Sequence, residues 1–171
     1  TVGPGHLIVD SVSISEVTVA PPPMVSIYDI QYTTDISGDS PENGNILTTS
    51  GIVTGVFAFG SDADRFFIQD GDGAWNGIYV YNTTPVALGD SVVVTGTVTE
   101  YFGLTEIGTV TSVVIASSGN AQPNPVLIST GDAAQEQYEA VLVQVTDALC
   151  SSADDGFGGF TVSDGSGNRV I

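Results

Sequence analysis

Positive charge is almost missing from this 171-residue chain: Arg65 and Arg169 are its only cationic side chains, lysine is absent, and 20 acidic residues set the formal net charge at -18. Neutralising nucleic-acid phosphates takes several Lys or Arg, each releasing counterions, so direct nucleic-acid binding is disfavoured. Cysteine occurs once, at Cys150. That excludes an intrachain disulfide framework, and a lone free cysteine ordinarily behaves as a small hydrophobe, so Cys150 is expected to be buried. The single histidine, His6, has no second His or Cys nearby. No stretch approaches the ~20 consecutive apolar residues that a membrane-spanning helix needs. Phosphate loops and nucleophile–base pairs are missing too. Carboxylates are plentiful, yet none has neighbours that would tune it into a general acid. The expectation is a non-enzyme. The first residue is Thr1, which reads as a processed or excised product.

What is present is strand punctuation. Through Ile52–Phe57, Phe66–Gln69, Ile78–Tyr81 and Val92–Val98, apolar and polar residues alternate in runs rich in β-branched and aromatic side chains, bounded by Gly, Asp or Asn. This period of two predicts half-buried strands. Gly51 and Gly55 fall inside the first run, where isolated glycine marks a bulge or bend. Leu88-Gly89-Asp90 and Tyr101-Phe102-Gly103-Leu104 read as tight turns between strands. The one helix expected covers Ala133–Glu139, with Asp132 as its cap and Gln135 three residues on. Another strand should begin at Val141–Val145.

Two self-similarities organise the ends. Phe66-Phe67-Ile68-Gln69-Asp70-Gly71-Asp72-Gly73 lines up with Phe160-Thr161-Val162-Ser163-Asp164-Gly165-Ser166-Gly167. Ile8–Ser15 with its proline linker, Pro21–Pro23, and Met24–Ile30 resemble Val110–Ser117, its linker and Pro125–Ser129. Periodic self-similarity signals an array of modules. The predicted organisation is a strand and stiff proline linker over 1–24, a complete barrel over 25–120, and a linker, short helix and half-finished second unit over 121–171. Half a barrel leaves unpaired backbone groups. The N-terminal strand, carrying Leu7, Ile8, Val9, Val12, Ile14, Val17 and Val19, is expected to complete such a half-barrel in another copy, giving a head-to-tail homopolymer.

The motifs Gly51-Ile-Val-Thr-Gly-Val, Phe67-Ile-Gln-Asp-Gly-Asp-Gly, Gly77-Ile-Tyr-Val-Tyr and Leu88-Gly-Asp-Ser-Val-Val-Val-Thr-Gly, with Val98-Thr-Glu-Tyr-Phe-Gly-Leu-Thr-Glu-Ile, resemble the tandem OB-fold modules of large secreted bacterial proteins. In that family these often accompany an extracellular nuclease or phosphatase domain. The resemblance implies an all-β chain: an OB-fold-like Greek-key barrel, a partial second OB-like unit and an extra N-terminal strand, in an extracellular or cell-surface bacterial setting. None of the family's hydrolase clusters maps onto this chain. The fold's strand 2–3 face commonly takes oligonucleotides or oligosaccharides, and the aromatic candidates for a contact surface are Trp75, Tyr79, Tyr81 and Tyr101. Trp75, in a Gly-rich turn, is the foremost of them. The expected role is structural. The alternative is an accessory oligonucleotide- or glycan-binding, or spacer, domain of a secreted nuclease or phosphoesterase.

Acidic turns recur in both units: Asp62, Asp64, Asp70 and Asp72, then Asp154, Asp155 and Asp164. Two readings stand side by side. Asp and Gly suit hairpin turns because they tolerate positive φ. Calcium takes six to eight oxygens and could be held by two or three such carboxylates on adjoining loops. No cofactor other than calcium is suggested.

Overall fold

A computed structural model describes residues 20–59, 62–152 and 159–170, with backbone only at 58–59 and 62–64. Residues 1–19, with the expected assembly strand, and Asp154 and Asp155 lie outside the described residues, as do the side chains of Asp62 and Asp64.

Five strands close into a barrel in the order β1-β2-β3-β5-β4: β1 is Ile46–Phe59, β2 Asp62–Gln69, β3 Gly77–Val80, β4 Ser91–Glu100 and β5 Thr105–Ser117. All contacts are antiparallel except the β3–β5 closure, which is parallel. This Greek-key order is that of an OB-fold barrel, and the chain is an all-β protein of that class.

One long strand serves two partners. Ile46–Ile52 pair with β4 and Ile52–Phe59 with β2. The change of partner needs a sharp bend, and Gly51 sits there. A Cβ at Gly51 would lie 2.8 Å from the Gln69 carbonyl oxygen, so only glycine lets β1 and β2 approach this closely. A register shift between Val53 and Gly55 follows, at the second glycine.

The alternation sorts the side chains as the period of two requires. Leu47, Val53, Phe66, Ile68, Ile78, Val80, Val92, Val94, Val98 and Ile107 point inward and form one core. Thr49 is the exception, a fully buried hydroxyl whose Oγ1 has no hydrogen-bond partner. Thr49→Val should therefore stabilise the barrel by about 1 kcal/mol, read as a raised urea midpoint, because an unpaired buried polar atom carries a desolvation penalty. An unchanged or lowered midpoint would show that the hydroxyl is satisfied in solution.

A helix that the sequence pattern did not suggest caps the core. α1 (Ile27–Gln31) buries Ile27 and Ile30 completely. Ser26 and Asp29 bond reciprocally, side chain to backbone and side chain to side chain, and Asp70 accepts the Ile27 amide at 2.8 Å. By contrast, the helix expected over Ala133–Glu139 is corrected to two 3-10 turns, Asp132–Ala134 and Glu136–Tyr138. Gln135 there bonds the Asp132 carboxylate through its side chain instead of capping backbone.

Beyond the barrel, β6 (Val126–Leu127) pairs in parallel with β7 (Val143–Gln144), and β8 (Leu149–Cys150), β9 (Thr161–Ser163) and β10 (Asn168–Val170) form an antiparallel sheet in the order β10-β9-β8. Little is buried here: Val141, Val162 and Thr130 are the buried side chains among the described residues of 121–170. Cys150, expected inside, is exposed. It lies on β8, at the edge of the β10-β9-β8 sheet, while its cross-strand partner Val162 on the central strand is the buried one. No helix among the described residues is long and apolar enough to cross a membrane.

Candidate functional site

The outer face of β2, β3 and β5 carries the most promising constellation. Phe66, Ile68, Ile78 and Val80 point in, so Arg65, Phe67, Tyr79 and Tyr81 point out. The parallel closure sets Tyr79 beside Glu106 across the β3–β5 pair. The β4–β5 turn then brings Tyr101 and Leu104 over the same face. Arg65, Tyr79, Tyr81, Tyr101, Leu104 and Glu106 line a cavity of about 410 Å³.

Arg65 links the polar groups in it, interacting with both Tyr79 and Tyr81. The Arg65 guanidinium carbon sits 4.6 Å from the centre of the Tyr81 ring, and its Nη2 donates to the Tyr81 hydroxyl at 3.3 Å. This is cation–π stacking combined with a hydrogen bond. Glu106 is 9% exposed and accepts a long bond from Thr99 Oγ1. Burial pushes its carboxyl above the usual range, opposed by Thr99 and Arg65. Burial likewise raises Tyr79, with Arg65 pulling the other way.

The turn at the rim is unusual. Tyr101 and Leu104 exchange both backbone hydrogen bonds, with Phe102 at φ 53 and Gly103 at φ 81. Two positive φ values define a type I′ hairpin turn, whose first central position ordinarily takes Asn, Asp or Gly. Here it holds Phe102, 95% exposed and packed edge-on against Tyr101.

Of the four aromatic candidates, the fold brings Tyr79, Tyr81 and Tyr101 together. Trp75 is elsewhere. It has φ 68, its ring meets Tyr32 edge-on at 5.6 Å, and its amide donates to the Gln137 carbonyl. Tyr32 in turn stacks on Tyr28. Arg65, Glu106 and Leu104 were not candidates from the sequence; Arg65, two residues outward from Phe67 on β2, carried the one available signal.

The acidic turns serve the backbone. Asp70 accepts the Ile27 amide, and Asp164 accepts from the Thr130 amide and hydroxyl. The two aspartates therefore play the same part twice, each holding a helical turn against the hairpin that follows its strand. Asp72 receives both the backbone and side-chain N–H of Asn124. Burial raises Asp70, whereas hydrogen bonds from Ser166 and Thr130 hold Asp164 far below the ordinary carboxylate range. Among the described residues, no three His, Cys, Asp or Glu side chains are grouped as a metal ion would require.

A second carboxylate group sits where the C-terminal segment meets the barrel. Glu139 accepts the Thr105 amide at 2.7 Å, and Glu100 accepts from the Ser40 amide and the Thr105 hydroxyl. Burial, reinforced by Glu136, pushes the Glu139 carboxyl up to about 8.

No family model matches the sequence, and no curated protein matches it. Among solved structures, the chain is similar to the OBody AM1L10 bound to hen egg-white lysozyme, at 18% identity and a TM-score of 0.44, over 60% of this chain and 99% of that one. It is also similar to the second OB-fold domain of replication protein A from Methanococcus maripaludis, at 19% identity and a TM-score of 0.34, over 51% and 97% of the two chains.

Proposed function

We propose that the protein is a non-catalytic, extracellular or cell-surface structural module that assembles end to end. The strand over residues 7–19 of one copy completes the open sheet of the next. The observation that carries this reading is the register of β8–β9–β10. Leu149 and Cys150 pair with Ser163 and Val162, and those residues pair onward with Asn168 and Arg169. Ile52 and Val53 pair with Gln69 and Ile68, and these pair onward with Gly77 and Ile78. The second sheet thus repeats the central part of the first three barrel strands.

In the barrel the flanks of this three-strand unit are occupied by β4 and β5. In the second sheet both edges, β8 and β10, lack a strand neighbour among the described residues. Leu149 (75% exposed), Val170 (62%) and Phe160 (41%) are left open around them. Unpaired edges with exposed apolar side chains are templates for strand addition. Because β5 runs parallel to β3, the donor strand should run parallel to β10.

Deleting residues 1–20 should abolish polymers seen by electron microscopy of the intact protein, while the barrel keeps its circular dichroism spectrum. Polymers that persist after deletion, or an intact protein that stays monomeric at high concentration, would refute the proposal.

A second reading, an accessory binding domain, is favoured by the tyrosine cavity. Three aromatic rings and a buried carboxylate gather there on an outward sheet face, outside the hydrophobic core.

A further inference from the structure

Taking up that second reading, we propose that the cavity between Arg65, Tyr79, Tyr81, Tyr101, Leu104 and Glu106 is a binding site for a neutral saccharide. Each wall of the cavity calls for a particular kind of ligand group. The three tyrosines offer flat apolar faces bearing a hydroxyl, which suit a ligand that is apolar on its ring face and polar at its edge. Glu106, acceptor-only when ionised, suits a donor; Arg65, donor-only, suits an acceptor. Sugar hydroxyls are both at once. A pyranose seated on the tyrosines can donate one hydroxyl to Glu106 and present a neighbouring oxygen to Arg65. The cavity of about 410 Å³ has room for one or two such rings.

Other ligand classes fit less well. An oligonucleotide or acidic glycan brings negative charge to a chain of net charge -18, with the Glu106 carboxylate in the cavity wall. A proline-rich peptide would suit the tyrosines, but it offers carbonyl acceptors and few donors, leaving Glu106 facing lone pairs.

The rim turn supports a ligand in this place. Phe102 occupies a left-handed position that Asn or Gly would fill with less strain, and it is almost wholly in solvent beside the cavity. Strain at a fully exposed aromatic contributes nothing to the core. It is accounted for if Phe102 extends the aromatic wall against a bound ring.

The test is amide-shift titration of the intact protein with cellohexaose, maltohexaose, laminarihexaose and chitohexaose, beside hexagalacturonate, dT12 and a proline dodecamer. At least one neutral hexasaccharide should bind with a Kd of about 1 mM or tighter, its shifts clustered on the six lining residues. Tyr81→Ala and Glu106→Gln should each weaken that binding at least about tenfold, by the loss of a stacking face or a charged acceptor. Phe102→Asn should weaken binding about threefold or more yet raise the urea midpoint, since Asn-Gly is the better turn. That opposite movement separates a ligand contact from a folding defect. Binding of dT12, hexagalacturonate or the proline dodecamer at these residues, without the neutral sugars, would overturn the saccharide assignment and leave the binding-domain reading standing. No shifts at the cavity with any probe at about 20 mM, well above the expected Kd, would overturn both.

Discussion

Raising the pH from 5 to 9 should destabilise this protein, and Glu139→Gln should remove much of that loss. Glu139 lies where the C-terminal segment meets the β4–β5 turn. Burial and the neighbouring Glu136 lift its carboxyl from 4.5 to about 8, with Glu100 adding to the repulsion and the Thr105 amide opposing it. A carboxyl raised in the folded state holds its proton more tightly there than in the unfolded chain. Its stabilising contribution is complete below about pH 4.5 and is lost as pH climbs through 8. Each tenfold gain in proton affinity on folding is worth about 1.4 kcal/mol at most. With partial exposure and the proton influenced by two other carboxylates, about 2 kcal/mol across the interval is the reasonable expectation. Asp70 and Glu106, also raised by burial, push in the same direction. The lowered groups, Asp35, Asp72, Asp90 and Asp164, act oppositely, and their contribution fades only as pH falls below the ordinary carboxylate value. Stability should therefore peak near pH 5. Urea midpoints at pH 5, 7 and 9 measure it. Glutamine keeps an acceptor for the Thr105 amide, so the variant should match the parent at pH 5 and exceed it at pH 9. Parallel pH profiles for the two proteins would place the pH dependence elsewhere.

How far the sequence foretold this arrangement depends on the range of the interaction. The barrel strands were legible because Phe66/Phe67/Ile68 and Ile78/Tyr79/Val80 carry the alternation locally, and the structure sorts them in and out accordingly. α1 was not legible. Five residues give barely one turn of periodicity, and the carboxylate that fixes its first amide, Asp70, lies 43 positions away. The Ala133–Glu139 helix is broken locally: the backbone turns extended at Gln135 (ψ 138), so the first 3-10 turn does not propagate into an α-helical ladder. In the cavity, Tyr79 and Tyr81 could be assigned to an outer face from spacing alone. Their companionship with Glu106 could not, because it is made by the parallel β3–β5 pairing that closes the barrel. Trp75 looked like an exposed contact in a glycine-rich turn. Tyr32, brought over by α1, and Gln137, from beyond the barrel, hold it instead.

The largest single-residue effect expected outside the core is at Gly77, and it bears on how the two units are joined. Gly77 is buried on β3, and a Cβ there would lie 2.2 Å from the Ala140 carbonyl oxygen and 2.7 Å from the Val141 nitrogen. Both are backbone atoms, so neither can swing aside as a flexible side-chain end could. Next to Gly77 on β2, the buried Gln69 accepts the Leu142 amide through its side chain, while the Gly77 carbonyl receives Gln31 Nε2. Residues 137–142 are thereby fastened along the barrel wall: Gln137 by Trp75, Glu139 by Thr105 and Leu142 by Gln69. Gly77→Ala must lift this segment and lose some or all of those bonds, at a cost of about 2–4 kcal/mol. Gly44→Ala is the comparison. Gly44 has φ +88 but nothing within 4 Å of its Cβ position, so its alanine carries backbone strain without a clash and should cost about 1 kcal/mol. Hydrogen exchange distinguishes the two. In Gly77→Ala the amides of Trp75, Thr105 and Leu142 should lose protection together, while those of β1 and β4 keep theirs; in Gly44→Ala all three should stay protected. Equal stability and unchanged protection in Gly77→Ala would mean that the 137–142 segment is not seated on β3 in solution. Under the end-to-end assembly proposed above, this seat fixes the angle between successive units, so a released segment should turn stiff polymers into flexible ones without dissolving them.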